Sequence, residues 1–299
     1  MHIDEEQLAR WAKPPGQTEQ DKCDNAVTAV RKAIDNSDIL SDIVDVFPQG
    51  SYKARTNTRQ NSDVDICVCH KTSFFPDYPA GKTSDDYGNV GAAISFDEFK
   101  KLVKKALVDY FGQEAVTPGN KAFDIHENTY RVDADVVAAF KHRRYDSDGS
   151  NNWIEPEGIA FKPGDGGLIK NWPEQTYSNG VDKNSSERTN RRYKAVIRIL
   201  KRLRDDMQDN NGEAAEDIAS FLIESLVWNA PDSCFNHTYY RNDIKSVITH
   251  TYNHTADYEK CKEWGEVNEL KYLFRTSQPW TRKQANDFLL AAWNYVGFD

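Results

Sequence analysis

The chain has 299 residues, with 47 acidic against 38 basic side chains and a formal net charge of −9. That length suits one large or two ordinary domains with a sizeable core. The acidic surplus disfavours broad docking of a polyanion, so no nucleic-acid activator is expected. No apolar run approaches the ~20 residues of a membrane span, the acidic opening Met1 to Glu6 is unlike a signal peptide, and five scattered cysteines do not form a disulfide framework. The expectation is a cytoplasmic protein with reduced thiols and no membrane partner.

In chain order, Cys23, Val27, Val30 and Ile34 recur at helical spacing. The apolar stretch Ile43 to Phe47 predicts a strand that runs into Gln49-Gly50-Ser51, a turn whose backbone N–H groups and hydroxyl suit phosphate oxygens. From Asp63 to Cys69 the sequence alternates, which places Val64, Ile66 and Val68 on one face of a strand and Asp63 and Asp65 on the other. Adjacent carboxylates repel unless a cation sits between them, so the pair suggests ligation of a hard metal by oxygen. A solvated polar face is the plainer reading of D-x-D alone. The upstream Gly-Ser turn favours the metal. Cys67 and Cys69 share the aspartate face and read as small core residues, because hard cations prefer oxygen.

Phe74 to Asn89, with its prolines, glycines and aspartates, predicts a long exposed loop beside the site that acts as a lid. Ser95 to Glu98 reads as a capping box opening a helix that buries Phe99, Leu102, Ala106 and Tyr110. The Val-rich run Tyr130 to Phe140 predicts a second carboxylate-bearing strand, with Asp133 and Asp135 on one face. Two-metal transfer needs a third carboxylate on a neighbouring strand. Spacing alone does not choose between these two; Asp135 is favoured because it opens the more apolar stretch, where an uncompensated charge would be costly.

Gly164 to Gly167 marks a turn at a junction, and from Ser185 onward the pattern is helical. A helix from Arg188 to Met207 buries Tyr193, Val196, Ile197, Leu200 and Leu203 and carries a second stripe, Arg191, Lys194, Arg198 and Lys201. That stripe reads either as a solvated basic face or as cations aimed at a triphosphate. The lysines are preferred for the second role, because Asp205 and Asp206 offer the arginines surface partners. Two further stripes follow, Ile218 to Leu226 and Ala285 to Trp293. Cys234, His237, His250, His254 and Cys261 have spacings loosely like a zinc site; the two histidines also read simply as one helical face. A carboxylate-bearing mixed sheet followed by a helical half is an α+β architecture, with a core over 1–184 and a helical domain over 185–299, and with a cleft between the parts as the natural ligand site.

Gly50-Ser51-Tyr52-Lys53 with Thr56, then Ser62-Asp63-Val64-Asp65, then Ala134-Asp135-Val136-Val137 together resemble the signature of the cGAS/DncV-like nucleotidyltransferases, the bacterial CD-NTases. Glu6 to Trp11, Asn171-Trp172-Pro173 through Tyr177 to Gly180, and Tyr193-Lys194 resemble that family's E clade. The resemblance implies a polymerase-beta-like nucleotidyltransferase core with an oligoadenylate-synthetase-type helical domain. It implies two Mg2+ ions, with Mn2+ as substitute, bound by Asp63, Asp65 and Asp135, and a triphosphate met by Lys194 and Lys201. Two nucleoside triphosphates would be joined with loss of pyrophosphate and closed into a cyclic dinucleotide, a second messenger in antiphage (CBASS) defence read by a separate effector protein. Asn171 resembles the position at which asparagine accompanies uracil selection, and it reads equally as a turn asparagine. Tyr177 is a candidate to stack on a base. With UTP and ATP as substrates, the expected product is cyclic UMP-AMP or cyclic di-UMP; a cyclic dipurine, or linear transfer to RNA, protein or a small molecule, are the alternatives.

Overall fold

A computed structural model describes residues 3–58, 63–147 and 153–298. Ser62, part of the aspartate motif, lies outside the described residues. In chain order the elements are α1 (Glu5–Trp11), α2 (Gln17–Asp35), β1 (Val44–Pro48), α3 (Gly50–Ala54), β2 (Val64–Asp77), α4 (Phe96–Phe111), β3 (Val116–Pro118), β4 (Phe123–Ile125), β5 (Ala134–Tyr145), β6 (Trp153–Phe161) and β7 (Ile169–Asn171). There follow α5 (Pro173–Lys183), α6 (Ser186–Thr189), α7 (Tyr193–Asp209), α8 (Ser220–Trp228), α9 (Tyr240–Thr255), α10 (Tyr258–Cys261) and α11 (Arg282–Val296). None of the described helices is long and apolar enough to cross a membrane.

By packing, the chain divides into two units. One comprises Gly16–Lys53 and Asn61–Glu174, the other Met1–Pro15, Ala54–Gln60 and Gln175–Asp299. The division differs from a single cut at 184/185: the break falls at 174/175, and two upstream segments join the helical unit. Ile3, Leu8 and Ala12 belong to its hydrophobic core, and Thr56 hydrogen-bonds to Glu224 of α8.

The first unit is built on a seven-stranded mixed sheet of order β1-β2-β5-β4-β3, with β6 pairing β5 and β7 pairing β6. β2 and β5 run parallel, and the other pairs are antiparallel. Just beyond their aspartates, Ile66 to Cys69 of β2 and Val136 to Phe140 of β5 are apolar on both faces, as strand segments covered on two sides must be. α2 buries Cys23, Val27, Val30 and Ile34 as the periodicity requires. The Ser95–Glu98 capping box opens α4, but its buried stripe is Phe99, Val103, Ala106 and Leu107, with Tyr110 exposed. The apolar face is rotated by about one position from the expected one, and Phe99, common to both, packs against His70 and Phe140.

The exposed loop is shorter than expected and begins at Tyr78. β2 continues to Asp77, pairing Phe74 to Asp77 with Lys141 to Arg144 after a register shift. The residues beyond are pinned by stacking of Tyr78, Tyr87 and Tyr145 and by a hydrogen bond from the Tyr87 hydroxyl to the Asp146 carbonyl. Gly164 to Gly167 turns between β6 and β7, inside the sheet unit and not at its border.

In the helical unit, α7 begins at Tyr193 rather than Arg188. Asn190 and Arg191 both adopt positive φ, at 48° and 59°, which breaks the helix and removes Arg191 from the basic stripe. α8, α9 and α11 then pack around the fully buried Tyr193, Phe235 and Phe288.

These interiors imply unequal penalties. Phe99→Ala should destabilise the protein by about 3–5 kcal/mol through cavity formation, and Ser95→Ala by about 1 kcal/mol through loss of the cap. Urea unfolding of the two variants, measured side by side, checks both values.

Candidate active site

The carboxylates are gathered by register. Asp65 of β2 is opposite Asp135 of β5, and Asp135 on its other side is opposite Asp124 of β4. Directly opposed residues share a sheet face, with Cβ atoms roughly 4.5–5.5 Å apart in an antiparallel pair. Three strands therefore present a row Asp65, Asp135, Asp124 on one face. Asp63 precedes β2 beside Asp133, since the Val64 N–H donates to the Asp133 carbonyl at 3.1 Å. Asp135 stands in the row opposite Asp65, and Asp133 lies one step upstream beside Asp63. Asp133 is occupied locally: its Oδ1 accepts the Glu127 N–H at 2.5 Å, and its carboxylate groups with Asp124 and His126.

The glycine turn lies directly against this row. Gly50 has φ +64°, and a Cβ placed on it would stand 2.0 Å from Oδ2 of Asp65; both facts select glycine. The Gln49 N–H donates to the Asp65 carbonyl at 2.8 Å, so Gln49, Gly50 and Ser51 are fixed beside β2. Tyr52 secures α3 from behind: its hydroxyl donates to Asp24 at 2.6 Å and accepts from Gln20 at 2.7 Å. Lys53 pairs with Glu174 at 2.5 Å.

Burial raises the Asp135 carboxyl above its ordinary range, and Asp124, Asp63 and Asp133 raise it further. Asp63 is raised too, first by desolvation and then by Asp133, Asp124 and Glu127. An all-oxygen donor set under mutual repulsion suits a hard divalent cation. The thiols of Cys67 and Cys69 are buried in the core and add no donors to the row.

Asn171 is the last residue of β7, not a turn residue, and is partly exposed. It is opposite Ile159, which is opposite Lys141. Six residues separate Lys141 from Asp135, so the alternation of β5 places Asn171 on the carboxylate face. Gly158 lets it sit there, because a Cβ at 158 would lie 2.8 Å from the Asn171 carbonyl oxygen and 2.8 Å from the Trp172 indole nitrogen.

The remaining candidates belong to the helical unit. Lys194 is buried, with its ammonium 5.7 Å from the Tyr177 ring centroid. Lys201 is buried in an ion pair with Glu224 at 2.6 Å. Arg198 bonds to backbone carbonyls, not to Asp205 or Asp206. The zinc-like residues are not brought together. Cys234 and Cys261 are separate free thiols, His237 pairs with Asp243, and His250 stacks with His254 and Trp264. Among the described residues, the group close enough to share a metal ion is Asp124, His126 and Asp133. Asp124 was missed in the sequence although its signal was present: it lies between Phe123 and Ile125, as Asp65 lies between Val64 and Ile66.

A carboxyl raised in the folded state stabilises at acid pH and loses that contribution as pH rises through its folded pKa. Without metal, Asp63 and Asp135 therefore oppose folding at neutral pH. Asp135→Asn should raise the metal-free Tm by a few degrees, equivalent to ~1 kcal/mol in a domain of this size. The same change should remove most of the Tm increase that a divalent cation produces at pH 7. In the unmodified protein that increase should fade toward pH 4. Scanning calorimetry with and without Mg2+ at both pH values measures all three effects.

Residues 178–297 match the family model of the cGAS/DncV-like nucleotidyltransferase C-terminal helical domain. The chain is 43% identical to the cyclic dipyrimidine nucleotide synthase CdnE of Legionella pneumophila, over 99% of both sequences. It is 36% identical to the cyclic dipurine nucleotide synthase of Elizabethkingia meningoseptica, over 100% of both. Its fold is similar to that of the Rhodothermus marinus CdnE c-UMP-AMP synthase solved with Apcpp and Upnpp, with a TM-score of 0.85, 28% identity, and coverage of 99% of this chain and 97% of that one. Similarity of this extent along the whole length means that the chain belongs to the cGAS/DncV-like nucleotidyltransferases, in the CdnE group of cyclic dinucleotide synthases.

Proposed function

We propose that this enzyme joins two nucleoside triphosphates into a cyclic dinucleotide that contains uracil, with UTP and ATP as its main substrates. The observation that carries the reading is the row Asp65, Asp135 and Asp124 with Gly50 closed against Asp65. For the base, two features support uracil. Asn171 lies on the carboxylate face with an amide able to donate to and accept from the uracil edge. The relatives named as dipyrimidine synthases, at 43% and 40% identity, stand above the dipurine synthase at 36%.

In this reading Asp63, Asp65 and Asp135 hold divalent cations, Mg2+ in two positions with Mn2+ as substitute. Such ions neutralise charge at the attacking and leaving oxygens. Gln49, Gly50 and Ser51 orient the phosphates, which is the positioning work that nucleotidyl transfer requires. Asp135, with its raised pKa, accepts the proton of the attacking ribose hydroxyl. A bond forms from that oxygen to the α-phosphorus of the second nucleotide, and the bond from that phosphorus to pyrophosphate breaks. A second transfer within the linear intermediate closes the ring. Tyr177 stacks on a base, and the product acts as a messenger for a separate effector in antiphage defence.

Incubation with Mg2+ and the four labelled ribonucleotides, without DNA or RNA, should yield a phosphatase-resistant product labelled from UTP. Its absence, with Mn2+ as well, would remove the cyclase reading; a product labelled from ATP and GTP alone would replace uracil by purines. Asp65→Asn should lower synthesis on the order of a thousandfold. Asn171→Ser should lower use of UTP relative to ATP about tenfold, the loss of one good hydrogen bond, and an unchanged ratio would sink the role given to Asn171.

A further inference from the structure

β7 spans only Ile169–Asn171 and, among the described residues, pairs with β6 alone. The end of so short an edge strand is weakly held by backbone pairing, and Asn171 is its last residue. By alternation, its neighbours Lys170 and Trp172 leave the chain on the face away from the carboxylates. Both are tied down there, by partners that all belong to the sheet unit.

Trp172 is almost fully buried. Its indole N–H donates to the Pro156 carbonyl at 3.2 Å, its ring lies T-shaped to His142 with centroids 5.3 Å apart, and the Arg144 guanidinium lies 5.3 Å from its ring centre. Gly158, opposite His142 in the register, leaves room for this packing. A Cβ at 158 would stand 2.8 Å from the indole nitrogen and 2.8 Å from the Asn171 carbonyl oxygen. Lys170 is secured from β2, which is not a pairing neighbour of β7. Its ammonium donates to both oxygens of Asp77, at 2.5 and 2.6 Å.

His142 makes the two anchors compatible. It is fully buried, and its Nδ1 lies 2.9 Å from the Phe75 carbonyl oxygen. A carbonyl only accepts, so Nδ1 carries the proton and Nε2 the lone pair. Nε2 faces Oδ2 of Asp77 at 3.4 Å and makes no hydrogen bond among the described residues. Burial lowers the His142 pKa, and Lys170 and Arg144 lower it further against the pull of the Phe75 carbonyl and Asp77. The neutral ring leaves Asp77 to Lys170.

We propose that Lys170, Trp172 and His142 are positioning residues for base selection, which brace β7 from the face opposite the carboxylates and so fix the place of the Asn171 amide. The inference rests on the uracil role given to Asn171 above. It assigns discrimination between bases to the brace as well as to the amide itself.

Gly158→Ala tests the brace directly, because the added methyl removes no contact and lies on the face away from the carboxylates. With UTP and ATP in competition, it should lower use of UTP relative to ATP toward the loss of about tenfold expected for one good hydrogen bond of Asn171. Trp172→Phe and Lys170→Met should move the ratio the same way by about threefold each, for one neutral hydrogen bond and one partly exposed ion pair. Lys170→Arg, which still pairs with Asp77, should restore it. In an Asn171→Ser background Gly158→Ala should change the ratio no further, since both act through one amide. Equal loss with both nucleotides, or additive effects in the double variant, would mark a merely structural role and overturn the proposal. Hydrogen exchange of residues 169–171 in the nucleotide-free chain reads the brace without chemistry: Gly158→Ala and Lys170→Met should accelerate it by about threefold or more, and unaltered exchange would also overturn the proposal. Should Gly158→Ala fail to fold, Lys170→Met, which alters a partly exposed pair, carries both comparisons. Faster exchange in these variants beside an unchanged ratio in Asn171→Ser would remove the uracil reading and leave the positioning of residue 171 standing.

Discussion

Like-charge repulsion within one sheet face is the constraint on which the first unit depends. Asp65, Asp135 and Asp124 are opposite one another on three strands, with Asp63 and Asp133 one step upstream. Such a row has no stable arrangement unless the strands bearing it are held by something stronger. Here they are held by the apolar remainder of β2 and β5, whose Val64, Ile66, Val68, Val136, Ala138 and Phe140 are nearly all fully buried. The parallel pairing of the two strands fixes the register, and a slip of one residue would turn each aspartate into the core. The cost of assembling the charges is what a bound cation would relieve.

The same economy of placement governs the residues around the row. Gly50 and Gly158 are both selected by close approach, one to the carboxylate of Asp65 and the other to the chain at Asn171 and Trp172. Tyr52, Asp24 and Gln20 fasten α3, and the Tyr78, Tyr87 and Tyr145 cluster fastens the chain beyond β2. In the helical unit, cations that could have been solvated are committed to backbone carbonyls, which converts a basic stripe into a scaffold for the Arg55–Thr56 segment. Buried ion pairs of this type contribute little net stability, and their value lies in fixing geometry.

Much of this was legible in the sequence, for identifiable reasons. Alternation around Asp63, Asp65 and Asp135 is a period-two signal that survives any tertiary arrangement, and the helical stripe from Tyr193 onward is equally local. What escaped was whatever depended on a partner distant in sequence. Asp124 belongs to a three-residue strand too short to register as one, and only pairing with β5 brings it opposite Asp135. The Phe74 to Asp77 segment looked like loop because its strand pairing follows a bulge. Lys201 looked like Lys194 because a helical wheel shows which face a residue occupies and not which acceptor waits there.

By itself, then, the sequence determined the chemistry: an acidic α+β chain with paired aspartates on two strands, a Gly-Ser turn and an amphipathic helical half, since residue type and short-range period are local properties. Only the tertiary structure decided which carboxylates meet, why residue 50 is glycine, and which acceptors Lys201 of α7 finds. Those outcomes are set by strand register and by hydrogen-bond partners more than a hundred residues away, and no local pattern encodes them.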